Sequence, residues 1–242
     1  EYLLALGIDE SENDFSKIDS PAPDDVVTDE AKPAGEFFKD LEFFDGEKPP
    51  EWIIKGVLPR AALGFIFGES GSGKTFLSID LALAIATGTE WRGHRVKQGR
   101  VAYIAAEDAL GVRYRIRAYR KKHGLLETKI AIGIHSDAPN FRDKEDVKRV
   151  LAGLRAMGDV SVCFVDTLAQ VTAGGDENSG KDIGEVLNFC KQLHAATGAM
   201  IVIIHHSGKD ASKGARGHSS MRGNSDFMME VTRFEDQREA SL

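Results

Sequence analysis

The sequence predicts an α/β protein with a mostly parallel, twisted sheet flanked by helices. Three observations predict it. From Glu51 onward, short apolar runs rich in β-formers alternate with helix-patterned segments, as in strands joined by crossover helices. One strand-to-helix junction is a glycine-rich turn of defined pattern. The length of 242 residues fits one large domain, or one domain with an appendage, and no internal repeat divides it.

Taken in order, Leu63–Phe67 is an apolar strand that runs into the glycine-rich turn. Lys74–Thr87 is almost wholly apolar and helix-forming, so that helix is covered on most sides. Arg100–Ala106 is a second strand, and a basic helix follows from about Gly111 to His123. Lys129–His135 reads as a third strand. Lys144–Met157 is a helix with Val147, Val150, Leu151 and Leu154 on one face at three- and four-residue spacing. Val160–Val165 is a strand ending at Asp166. Asp182–Thr197 is a helix with Ile183, Val186, Leu187, Cys190 and Leu193 inward, and Met200–Ile204 is a strand ending in His205-His206. Asp226–Thr232 reads as a further strand.

Composition excludes several classes. No apolar run approaches the ~20 residues that span a bilayer, and no signal-like start opens the chain, so a soluble, cytoplasmic protein with no membrane partner is expected. The two cysteines, Cys163 and Cys190, lie in apolar runs and are too few for a disulfide framework or a cysteine-built metal site. The net charge of −7 argues at face value against a polyanionic partner. Its location reverses that argument. Residues 1–50 hold 15 Asp and Glu against 4 Lys, a net of −11; the rest holds 23 acidic and 27 basic residues, a net of +4. Residues 1–48 therefore form an acidic extension, a linker or a subunit-docking segment marked by Phe37-Phe38 and Phe43-Phe44, ahead of a mildly basic body over 49–242.

The strongest local signal is Gly68-Glu69-Ser70-Gly71-Ser72-Gly73-Lys74-Thr75, a complete G-x-x-x-x-G-K-[ST] pattern with Phe76 after it. Glycines let successive backbone N–H groups converge on phosphate oxygens, and the helix start adds its positive dipole end. Lys74 is expected to reach the β- and γ-phosphates of ATP, and the Thr75 hydroxyl to ligate Mg²⁺. The cation needs a carboxylate from the end of a nearby apolar strand, and Asp166 fits. Ala105-Ala106-Glu107-Asp108 ends the strand after the phosphate-binding helix. There Glu107 can orient and deprotonate an attacking water, while Asp108 reads as the next helix's cap. His206, at a strand tip, can report on the γ-phosphate; His205 reads as a buried histidine. No guanine-reading or transporter signature is present.

With those motifs in order, the chain resembles the RepA-type AAA ATPases, RecA-fold hexameric helicases of plasmids and phages that are kin to the DnaB-like replicative helicases. The resemblance covers about residues 49–233 and rests on Pro49–Pro59, the P-loop, Ala105–Asp108, Val165-Asp166-Thr167, Asp176-Glu177-Asn178, His205–Lys209 and Arg216-Gly217. It implies a ring of ATPase subunits translocating on single-stranded DNA. It gives Glu107 the place of the catalytic glutamate and His206 that of the γ-phosphate sensor. Arg216, Arg222, Asp226 and Arg233 match the spacing of the C-terminal helicase motif, which makes Arg233 the arginine-finger candidate and Arg216 its runner-up.

Two loops follow strand tips, Thr172–Lys181 and Ser207–Gly223. The second is rich in Gly and Ser and carries Lys209, Lys213, Arg216 and Arg222, as a loop tracking a DNA backbone requires. Neither has an aromatic to stack on bases. Arg113, Arg115, Arg117, Arg120, Lys121 and Lys122 share one helix, a solvated face or subunit contact more than a DNA site. Three functions stay open at this point: a ring motor on single-stranded DNA, a recombinase or recombination mediator that forms filaments, and a nucleotide switch acting on a protein partner.

Overall fold

A computed structural model describes residues 51–175, 179–206, 221–233 and 240–241. The acidic extension lies outside these, as do Asp176–Asn178 and the part of the basic loop that holds Lys209, Lys213 and Arg216. The described chain opens with a hairpin of β1 (Trp52–Ile54) and β2 (Leu58–Pro59). There follow β3 (Leu63–Gly68), α1 (Lys74–Thr87), β4 (Arg100–Ala105), α2 (Ala109–Lys122), β5 (Ile132–His135), α3 (Lys144–Met157), β6 (Val160–Asp166), α4 (Leu168–Val171), α5 (Gly180–Thr197), β7 (Met200–His206) and β8 (Phe227–Glu230). A short antiparallel pair, β9 (Thr232–Arg233) and β10 (Ala240–Ser241), comes last.

Six strands form one sheet in the order β5-β4-β6-β7-β3-β8, and every neighbouring pair is parallel. Side chains alternate between its faces because the strand period is two. Val101, Tyr103, Val162, Phe164, Val202 and Ile204 face the layer holding α1 and α2. Ala102, Ile104, Cys163, Val165, Ile201 and Ile203 face the layer holding α3 and α5. On α5 all five residues expected inward are buried; on α3, Val147 and Leu154 are buried while Val150 and Leu151 are partly covered. The hairpin adds Ile53, Ile54 and Leu58 to the first layer, and Trp91 joins them with its indole N–H donating to Asp80 of α1 at 2.8 Å.

Three elements differ from their sequence expectations. The third strand begins at Ile132 instead of Lys129; the Arg120 guanidinium takes the carbonyls of Leu125, Leu126 and Thr128 in the turn ahead of it, and the Val101 N–H of β4 donates to the Ala131 carbonyl. The basic helix starts at Ala109, ahead of the expected Gly111, while Asp108 caps it as expected, its carboxylate accepting the Gly111 N–H at 2.8 Å. The last expected strand is divided at Val231, and Asp226 stands before it. Its Oδ2 accepts the N–H groups of Ala62 and Leu63, each at 2.9 Å, which ties β8 to the start of β3.

Candidate functional site

Parallel strands bring their carboxyl ends to one edge of the sheet, and the loops there build the site. β3 ends at Gly68, whose φ is +153°, and a Cβ there would stand 2.2 Å from the Val231 carbonyl oxygen. Gly71, at φ +78°, faces open space, with nothing within 4 Å of where its Cβ would be. α1 then starts with no side-chain cap and no acidic residue in its first turn. Uncompensated helix-start amides above open space make a phosphate cradle.

Lys74 is buried and folds back over the loop, where its Nζ donates to the carbonyls of Gly68 at 2.9 Å and Glu69 at 2.6 Å. Burial lowers its pKa, and the carboxylates of Asp166 and Glu107 oppose that shift. Glu69 and Ser70 are exposed on the loop, and the buried Ser72 hydroxyl has no partner. Phe76 is 64% exposed, with the Arg115 guanidinium 5.1 Å from its ring centroid.

Asp166, at the tip of β6, is 3% exposed. Its Oδ2 accepts the Tyr103 hydroxyl at 2.8 Å. Its Oδ1 is buried without a partner. Burial pushes this carboxyl's pKa up, against the pull of the Tyr103 and Thr75 hydrogen bonds. An orphaned carboxylate oxygen beside a hydroxyl that donates to its twin fits a hard divalent cation such as Mg²⁺. Among the described residues no cluster of three His, Cys, Asp or Glu forms an all-protein cage, so most remaining ligands would be phosphate and water.

Register joins the other groups. Ala105 pairs with Asp166, and Gly68 pairs with His206. Two residues beyond Ala105, Glu107 donates its backbone N–H to the Asp166 carbonyl at 3.1 Å. Its Oε2 lies 3.3 Å from His206 Nε2. The His206 Nδ1 and the Thr167 hydroxyl are buried without hydrogen-bond partners, and His205 is buried in the sheet. Thus the P-loop, Asp166, Glu107 and His206 come together.

The remaining expected groups are arranged differently. Arg222 is exposed; Lys209, Lys213 and Arg216 lie outside the described residues. Arg233 is exposed on β9, two residues after the Val231 carbonyl that abuts Gly68. Asp226 sits at the opposite, amino end of the strands, where it serves the fold. On α2, Arg115 pairs with Asp108 and Arg120 is spent on carbonyls, which leaves Arg113, Arg117, Lys121 and Lys122 facing solvent. Tyr103 was missed by sequence reasoning. Its signal was a hydroxyl-bearing aromatic inside an otherwise apolar strand.

A glycine-lined cradle at the tip of a buried strand, with an acceptor-rich rim on the adjoining strands, defines a P-loop ATPase of the RecA-like fold. The chain belongs to the AAA domain family, whose profile matches residues 30–212. The solved structure of another protein's ATPase domain has the same fold, with a TM-score of 0.54 over 74% of this chain and 73% of that one at 12% identity. Among the described residues no helix is long and apolar enough to cross a membrane.

Proposed function

We propose that this chain is a subunit of a ring-forming motor, of the RepA-type helicase kind, that uses ATP hydrolysis with Mg²⁺ to move along single-stranded DNA in replication or recombination. The observation that carries this reading is the 3.3 Å contact between Glu107 and His206. His206 is the last residue of β7, and the chain runs from it directly into the segment bearing Lys209, Lys213, Arg216 and Arg222. A change at the γ-phosphate would thereby reach a basic loop through one side chain.

The roles divide by position. The amides of Gly71–Thr75 bind phosphate oxygens, and Lys74 exchanges its two carbonyl partners for the β- and γ-phosphates. Thr75 and Asp166 would hold Mg²⁺, which when bound offsets the charge on the phosphates. Glu107 orients the attacking water and takes its proton. His206 donates to the γ-phosphate or to Glu107, and loss of the former partner leaves only the latter. Arg233, with Arg216 as the other candidate, would complete a neighbouring subunit's site across the ring.

The test is ATP turnover with and without single-stranded oligonucleotide, together with electron microscopy of the ATP-analogue complex. Stimulation by DNA and closed rings of six are expected. Absence of stimulation refutes the DNA motor and leaves a nucleotide switch. Open helical filaments replace the ring with a recombinase or mediator.

A further inference from the structure

We infer that Tyr103 is a positioning residue for the divalent cation: it fixes one oxygen of Asp166 so that the other alone is presented to the metal. The inference rests on the nucleotide-site reading above and turns on Tyr103, which lies outside the sequence motifs.

Three hydrogen bonds lead from Asp166 to the backbone of Thr75. Tyr103 Oη donates to Asp166 Oδ2 at 2.8 Å and lies 2.7 Å from Ser78 Oγ. Ser78 Oγ, one helical turn after Thr75, is 3.0 Å from the Thr75 carbonyl. Proton counting orders the chain. The one hydroxyl proton of Tyr103 goes to Asp166, so its oxygen takes the Ser78 proton, which has the Thr75 carbonyl as its alternative acceptor. Tyr103, Ser78 and Asp166 are all buried, so bulk water does not compete for these bonds.

The consequence is geometric. The terminal torsion of an aspartate is broad, and an unrestrained Asp166 would present either oxygen at a spread of angles. With Oδ2 held from β4, Oδ1 is left unpartnered. Packing alone does not account for the tyrosine. Its ring stacks on Phe164 with centroids 5.8 Å apart and planes at 25°, and phenylalanine would fill the same space. The hydroxyl is the added element, and outer-shell partners of this kind change metal affinity by about 10–100-fold.

The experiment measures binding of a fluorescent, non-hydrolysable ATP analogue to the full chain as Mg²⁺ is titrated, for wild type, Tyr103→Phe and Ser78→Ala. Manganese binding by electron paramagnetic resonance, with nucleotide present, is a second readout. Tyr103→Phe should raise the half-saturating Mg²⁺ about tenfold and weaken Mn²⁺ binding, with metal-free nucleotide affinity unchanged. Ser78→Ala should give a smaller rise of the same sign. An unchanged Mg²⁺ midpoint in Tyr103→Phe overturns the inference, as does an equal loss of metal-free binding, which would mark a role in packing alone. Were Tyr103→Phe not to fold, an unchanged midpoint in Ser78→Ala would overturn it. Failure of the wild type to bind the analogue would instead sink the nucleotide-site reading itself.

Discussion

His206 Nε2 lies 3.3 Å from Glu107 Oε2, so the tips of β7 and β4 are joined across the intervening strand β6. The residue to which the proposed function gives the attacking water and the residue that precedes the basic segment are therefore one hydrogen bond apart. On the proposed function, a nucleotide-dependent change in that bond would act at the residue that directly precedes the basic segment.

Glu107→Gln keeps the shape of the side chain and removes its capacity to take a proton. Nucleotide binding should persist while turnover falls by about 10²–10⁴-fold. Equilibrium binding and steady-state phosphate release together check this, and unchanged turnover would place the base elsewhere. His206→Ala should lower turnover and bring the ratio of DNA-stimulated to basal rate close to one.

Lys74→Ala removes the buried ammonium now held by the Gly68 and Glu69 carbonyls. Tight nucleotide binding or turnover should be lost. Normal hydrolysis in that variant would overturn the cradle assignment.

Arg233→Ala should impair hydrolysis through the subunit interface only. Mixed with Lys74→Ala subunits, it should regain part of the activity, because some interfaces then pair an intact cradle with an intact arginine. Activity that merely averages the two inactive parents would argue against a finger acting in trans.

The two buried thiols give a pH dependence of defined sign. Burial pushes Cys163 from 9.0 to about 12, and burial followed by the neighbouring Cys163 pushes Cys190 up as well. Above pH 9 the unfolded chain releases thiol protons that the native chain retains. Stability is thus fully present below that pH and falls as pH rises towards about 12, by up to about 1.4 kcal/mol per unit for each thiol. Urea unfolding at pH 8 and pH 10 should show a larger loss for wild type than for Cys163→Ala. Neither thiol should react with a disulfide reagent until the chain unfolds.

Legibility followed sequence distance. The cradle could be read because its requirements are contiguous: glycines where a Cβ would meet Val231 or close the open space, then a helix start. The inward face of α5 was legible for the same reason, since a helix repeats its geometry every three or four residues and all five positions are buried. The start of the third strand at Ile132 was not legible, because it is set by pairing with Val101 of β4, a partner 31 residues back along the chain. The Asp226 contact was equally hidden, since it reaches 163 and 164 residues back along the chain.

The sequence by itself determined an ATPase cradle, a parallel sheet with crossover helices, and an acidic extension on a mildly basic body. Only the tertiary structure decided that Glu107 meets His206, 99 residues away, and that Tyr103 meets Asp166, 63 residues away. Those meetings depend on strand order, with β4 beside β6 and β6 beside β7. Local propensity and periodicity specify that a strand forms and which side chains share a face. Which strands become neighbours is settled only when both faces of the sheet are buried at once.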